Sequence, residues 1–247
     1  MDSIHLKEMT WPMVRDAMEQ GYKTIIMAVG SIEQHGHHLP LGTDTYLGDC
    51  LAKQFAKKLG KTLVAPTIKP GCSMHHMDFP GTISISPETL IELLKEICLA
   101  LDHHGFEKII LVPSHGGNFS PVNVAVQSIA PRLKANLIAV TDLMGLIGVF
   151  KEKVAATGQS PETAGGHAGA GETSFMLAYK PELVRKKEWK KGYIGPFTNK
   201  YVKKGFRAVT PTGVLGDPTV SSSEAGEMII ETVSDMLVDT VKRELEL

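Results

Sequence analysis

The sequence predicts an α/β layered fold with a parallel sheet covered on both faces, and three observations carry that expectation. Four short runs rich in β-branched residues are spaced along the chain. Segments with helical periodicity separate them. The runs are apolar throughout rather than alternating, the pattern of a strand with no solvent face.

The first strand is expected over residues 23–29, followed by a polar loop and a helix over 44–59. A second strand covers 62–65. Ser86-Pro87-Glu88 then opens the clearest helix: serine is a good N-cap, proline fits the first helical position and glutamate favours the positive end. Leu90, Leu93, Leu94, Ile97 and Leu101 line one face of it, and Gly105 closes it. His103 and His104 fall in its last turn, where cationic character is favoured, and read as structural. A strand over 108–112, a helix over 121–133 and a strand over 136–141 follow. A glycine-rich loop feeds a helix over 173–178. Near the end, Ser221-Ser-Ser-Glu224 reads as a capping box ahead of Ile229, Ile230, Val233, Met236, Leu237 and Val241. Residues 186–218, with five glycines and three prolines, read as irregular surface or interface structure.

Length and composition bound the rest. A chain of 247 residues without repeats, low-complexity stretches or a linker is expected to form one domain over 1–247. Its 26 basic and 27 acidic side chains nearly cancel, which gives no pull toward nucleic acid or an anionic membrane. The three cysteines, Cys50, Cys72 and Cys98, are odd in number and lack CxxC spacing. That argues for a reducing compartment. With no signal-peptide pattern and no run of 18 apolar residues, a cytoplasmic protein is expected.

The chemistry concentrates directly after the first strand, in Gly30–Asp44, GSIEQHGHHLPLGTD. From Glu33 to Asp44 it gathers one glutamate, three histidines and one aspartate. One such histidine alone would read as a surface residue, but a cluster at the end of a buried strand points to a bound cation. Glu33 and His35 leave the same face of extended chain. Gly36, Pro40 and Gly42 turn the backbone and bring Asp44 back to them. Carboxylate and imidazole ligands without a thiolate suit zinc, manganese or ferrous iron. Two further groups sit at comparable places: Ser114-His115-Gly-Gly-Asn118 after the third strand, and the loop Gly165-Gly-His167-Ala-Gly-Ala-Gly-Glu172-Thr-Ser. If the strands are parallel neighbours, His115 emerges on the same edge as Glu33.

These three segments, with FPGTISIS at Phe79–Ser86 and GVLGDPTVSSSEAGE at Gly213–Glu227, resemble the creatininase family of creatinine amidohydrolases and relatives. The resemblance implies a three-layer α/β/α sandwich with a mostly parallel central sheet. It also implies a hydrolytic centre of two divalent metal ions and a homo-oligomer, often a hexamer. Carried over by position, Glu33, Asp44 and His115 are expected to hold one metal, and His35 and Asp44 the other, with Asp44 bridging. Ser73 matches a substrate-contacting serine and His167 a catalytic histidine. The creatinine-cleaving members have His-x-Glu where this chain has His115-Gly-Gly117, so the last ligand of the second metal is missing. Glu172 is its expected replacement, beside His167 in the catalytic group. An aromatic shortly before the catalytic histidine is also absent from Pro161-Glu-Thr-Ala-Gly-Gly166, so creatinine is expected to be a poor substrate. The HGGN pattern is similar to relatives acting on formamides, peptides or sugar-derived rings.

The expected activity is metal-dependent hydrolysis of a C–N bond in a small cyclic amide or formamide, by a metal-activated water. Opening of a sugar-derived cyclic diketone of the inosose type, or cleavage of a short peptide, would use the same centre. A non-catalytic metal-binding scaffold is the remaining class, and it would have no need of His167.

Overall fold

The computed structural model of the protein describes residues 3–195 and 200–245. Along β1 (Thr24–Val29) successive side chains enter two separate cores. Ile26 and Ala28 belong to one, and Ile25, Met27 and Val29 to the other. In β3 (Lys108–Pro113), Ile110 and Val112 are divided from Ile109 and Leu111 in the same way. A strand with two cores has no polar face, which is why these runs carry no alternation. With β2 (Thr62–Val64) and β4 (Asn136–Ala139) they form a parallel sheet in the order β2-β1-β3-β4.

Helices α1 (Trp11–Glu19), α3 (Pro87–His103) and α4 (Phe119–Ile129) pack on the Ile25 face. Helices α2 (Thr43–Leu59), α5 (Leu143–Ala156), α6 (Ala170–Tyr179) and α8 (Ser223–Glu244) pack on the Ile26 face. The result is the three-layer α/β/α arrangement. Cys50 and Cys98 are buried on opposite sides of the sheet, and all three cysteines are free. Among the described residues no helix is long and apolar enough to cross a membrane.

Ser86 caps α3 as expected, its Oγ accepting the N–H of Thr89 at 3.2 Å, and Gly105 follows the helix at φ +88°. Several boundaries differ from the sequence expectation. The cap of α8 is Ser222, which accepts the N–H of Ala225 at 3.1 Å. Ser221 is already engaged, donating to the carbonyl of Pro218 at 2.7 Å. Helix α4 starts at Phe119 and gives way to a 3-10 turn at Ala130–Arg132, because Pro131 has no N–H with which to continue it. Helix α6 reaches back to Ala170, which puts Glu172 in its first turn. Helices α1 and α5 were not expected. The apolar pattern of α5 is interrupted by Gly145 and Gly148, weak helix formers, and its N-cap is Asp142, which accepts the N–H of Gly145 at 2.8 Å.

The stretch 186–218, expected as irregular surface or interface structure, contains α7 (Lys200–Lys204) and the buried Phe206, Val214 and Leu215. Residues 196–199 of this stretch lie outside the described residues.

Candidate metal centre

Three loops leave one edge of the sheet together. Val29 and Pro113 are register partners, so the segments that follow them start side by side. Asn118 ties both to a third segment. Its Nδ2 donates to the carbonyls of Val29 at 3.0 Å and Gly30 at 2.9 Å, while its Oδ1 accepts the N–H of Cys72 at 2.9 Å. Ser114 donates to the carbonyl of Asp44 at 2.7 Å, and Thr45 to that of Ser31 at 2.9 Å. These bonds clamp the first turn of α2 against the strand ends. Asp44 in that turn, and Glu172 in the first turn of α6, sit where peptide dipoles favour a carboxylate.

Asp44 divides its oxygens between two histidines. Oδ1 lies 3.3 Å from Nε2 of His35, and Oδ2 lies 3.3 Å from Nδ1 of His115. Glu33 Oε2 lies 3.3 Å from that same Nδ1 of His115. Glu172 Oε2 approaches Nε2 of His35 to 3.7 Å. Each inward nitrogen is set from behind: His35 Nδ1 is 3.2 Å from the carbonyl of Glu33, and His115 Nε2 is 3.2 Å from that of Cys72. A backbone acceptor of this kind orients an imidazole for a metal and fixes which nitrogen is free. Glu33 Oε1, His35 Nε2 and Asp44 Oδ2 are buried without a hydrogen-bond partner. Buried polar atoms are almost always partnered, and a divalent cation would partner these. Glu33, His35 and Asp44 bring ligand atoms close enough to share an ion, as do His35, His167 and Glu172.

The electrostatics agree with that fit. Burial opposes a charge on His35, but the carboxylates of Asp44, Glu172 and Glu33 outweigh it and push its pKa up to about 10. Burial is likewise outweighed at His115, whose pKa is held well above the ordinary range by Glu33 and Asp44. Burial would raise Asp44, yet the two histidines hold it well below the usual carboxylate range. Burial, with Asp44 and Glu33 adding to it against His35, pushes Glu172 up to about 7. Without a metal, protons on His35 and His115 compensate the carboxylates, and a cation would displace them. His167 is the opposite case: burial, then His35 and His76, press its pKa well below the ordinary value and keep it neutral.

The structure thus brings Glu33, His35, Asp44, His115, His167 and Glu172 together on one edge of the sheet. His167 points Nδ1 at Glu33 Oε1 from 3.6 Å. Ser73, expected to contact substrate, sits beside this cluster. It has no exposed surface, and its hydroxyl lies 2.6 Å from Ser31 Oγ and 3.3 Å from His115 Nε2, behind that ring. Gly117 has no room for the missing carboxylate, since a Cβ there would lie 2.2 Å from the carbonyl oxygen of Cys72. The sequence reading overlooked His76, whose Nε2 is 3.3 Å from Glu33 Oε1, and Gln34, which touches both His76 and His167. The adjacent His75-His76 pair beside Ser73 was the available signal.

The cluster opens into a cavity of about 850 Å³. Leu143, Ile147, Tyr193, Tyr201 and Phe206 supply much of its apolar wall. Aromatic side chains from the stretch after residue 186 thus line the cavity, although none precedes His167 closely in sequence. Phe206 packs on the ring of His76, with centroids 4.3 Å apart, and on that of His167 at 5.0 Å.

Comparison with known proteins gives a consistent result. Residues 7–241 match the creatininase family model, described as creatinine amidohydrolase. The chain is 32% identical to the mycofactocin precursor peptide peptidase of Mycobacterium tuberculosis, over 89% of this chain and 85% of the relative. It is 30% identical to the 3-dehydro-scyllo-inosose hydrolase of Thermotoga maritima, over 98% of this chain and 84% of that one. Among solved structures, one described as creatininase with Mn superposes with a TM-score of 0.83 at 25% identity, covering 98% of this chain and 99% of that one.

Proposed function

The chain belongs to the creatininase family, and on that premise we propose that it hydrolyses an amide or formamide C–N bond at a centre of two divalent ions. Membership makes it a hydrolase rather than a non-catalytic scaffold. Glu33, Asp44 and His115 would hold one ion, and His35, Asp44 and Glu172 the other. Zinc, manganese and ferrous iron all suit these oxygen and nitrogen donors. When bound, the ions supply a water acidic enough to attack near neutral pH and a Lewis acid for the substrate carbonyl.

The protein's own groups do the rest. Glu33 and Asp44 hold the negative charge that draws cations into a buried site. His167, neutral and buried, accepts a proton at Nδ1 and returns it to the leaving nitrogen. The apolar wall of the cavity strips water from the substrate and orients its uncharged part. The observation that carries this reading is the convergence of three buried, unpartnered atoms, Glu33 Oε1, His35 Nε2 and Asp44 Oδ2.

A second substrate reading shares the centre: a short peptide or a sugar-derived ring. The cavity of about 850 Å³ favours it, since a single small ring would leave most of that space empty. The test is a hydrolysis screen of formamides, cyclic amides, short peptides and cyclic polyol ketones with chelated and remetallated protein. Activity that survives chelation, with metal content near zero, rules the mechanism out. A His167→Ala variant that keeps its metal and its wild-type rate removes His167 from it.

A further inference from the structure

One face of α5 runs along the cavity. Leu143, Ile147 and Lys151 are spaced four apart, so their side chains leave the same side of the helix, and all three line the cavity. Ile147 also lines a small enclosed recess together with His167 and Glu172, whereas Lys151, one turn farther on, lines only the larger space. Phe150 and Val154, on another side of α5, are buried in the core. The cavity therefore has an apolar strip that ends in a cation.

Lys151 is the one lysine or arginine among the described residues that line the cavity. Its Nζ lies 3.2 Å from Oε2 of Glu162, in the 3-10 turn Pro161–Ala164 that leads to His167. The two side chains are 40% and 61% exposed, and an ion pair so open to water contributes little to stability. Glu162 can therefore give way to another carboxylate. Its own carboxylate shows what an ammonium in this place accepts. Phosphate sites gather several N–H donors, often with arginine, and no second lysine or arginine joins Lys151 among the described lining residues.

We propose that Lys151 is a specificity-determining residue that binds a carboxylate of the substrate in exchange for Glu162, while Leu143, Ile147 and Phe206 hold an apolar body. The substrate class is an amide with an apolar body and a free carboxylate, such as an N-acylated amino acid or a short peptide with a free C-terminus. Its scissile amide rests on the hydrolase reading above, whereas the carboxylate site does not.

Isothermal titration of the metal-loaded protein with phenylbutyrate and with phenylbutanol, its uncharged counterpart, reads the site without turnover. Wild type should bind the acid about tenfold more tightly than the alcohol, as expected of a hydrogen bond between charged groups. Lys151→Gln should bring that ratio close to one. Glu162→Gln removes the competing carboxylate and should raise the ratio. Parallel changes in the two variants would mark the pair as a mere tie between α5 and the turn, and overturn the proposal. A wild-type ratio near one overturns it, as does a preference for the acid that survives Lys151→Gln because it resides at the metal ions. Tighter, Lys151-dependent binding of phenylpropyl phosphate overturns the choice of carboxylate. In the hydrolysis screen, N-formyl amino acids should exceed the matching N-formyl amino alcohols in kcat/KM. Metal-dependent hydrolysis without that preference sinks the assignment of Lys151 and leaves the hydrolase reading intact. Lys151-dependent binding with no hydrolysis of any compound does the reverse. Should Lys151→Gln fail to fold, the wild-type ratio and Glu162→Gln still decide.

Discussion

Glu172 brings Oε2 to 3.7 Å from Nε2 of His35, from the first turn of a helix that begins at Ala170. A carboxylate therefore faces the nitrogen of His35 although residue 117 carries no side chain. The neutral isostere Glu172→Gln keeps the shape and removes the charge. Elemental analysis of the purified variant should find about one ion per chain, against the two expected of wild type. Two tightly held ions in Glu172→Gln would show that Glu172 is not the missing ligand.

Asp44 should behave differently from His35. Because Asp44 directs one oxygen toward each histidine, Asp44→Ala should lose both ions together. His35→Ala should retain the one ion proposed for Glu33, Asp44 and His115. Equal metal loss in the two variants would contradict a bridging Asp44.

Restoring a carboxylate at position 117 should not restore a creatininase-like centre. A Cβ there would meet the Cys72 carbonyl at 2.2 Å and His115 Nε2 at 2.6 Å, so the backbone around residue 72 must move. Gly117→Ala should cost about 1–3 kcal/mol of stability, the usual penalty for overpacking. Gly117→Glu should be at least as damaging. Denaturant unfolding measures both, and a Gly117→Ala variant as stable as wild type would mean the 71–73 segment yields freely.

The metal-stripped protein should lose stability as pH rises from about 6.5 to about 10. His35 has a folded pKa raised to about 10 from an ordinary 6.5. The folded state therefore holds a proton that the unfolded chain releases above pH 6.5, and this contribution vanishes as the pH climbs through the folded value. His115, raised for the same reason, acts in the same direction. Thermal melts of chelated protein across this window should show a falling Tm. The metal-loaded protein should show a smaller fall, since the ions replace the protons, and metal uptake near pH 7 should release protons into a weakly buffered solution. A Tm that rises with pH in the stripped protein would show that His35 is not charged there.

Creatinine should be turned over poorly. Gly117 cannot supply the carboxylate of the creatinine-cleaving members, and the cavity of about 850 Å³ is far larger than one small flat ring. A direct ring-opening assay decides. Rates of about 10 per second, ordinary for an enzyme on its own substrate, would mean that Tyr193, Tyr201 or Phe206 grips the ring after all.

The order of the strands along the chain, their two-faced burial and the gathering of carboxylate and imidazole side chains after the first strand were legible in the sequence, for local reasons. An apolar run without alternation reports burial on both faces. A dense group of carboxylate and imidazole side chains after such a run reports a cation. Ser86 and Gly105 announce their helix ends through chemistry that acts within one turn. What the sequence could not decide depends on segments that meet only in the folded chain. Ser73 lies behind His115 because Ser31 and the 71–73 loop approach it there. Glu172 faces His35 because α6 starts at Ala170 and packs across the layer. The glycine- and proline-rich stretch after residue 186 looked like surface, yet it brings Phe206 onto His76 and His167. Gln34 reads as one polar residue between two better candidates. Its contacts with Gly36, Gly213, His76 and His167 form only in the folded chain. Which imidazole nitrogen holds a proton is a matter of what lies across from it, and that is a property of tertiary structure.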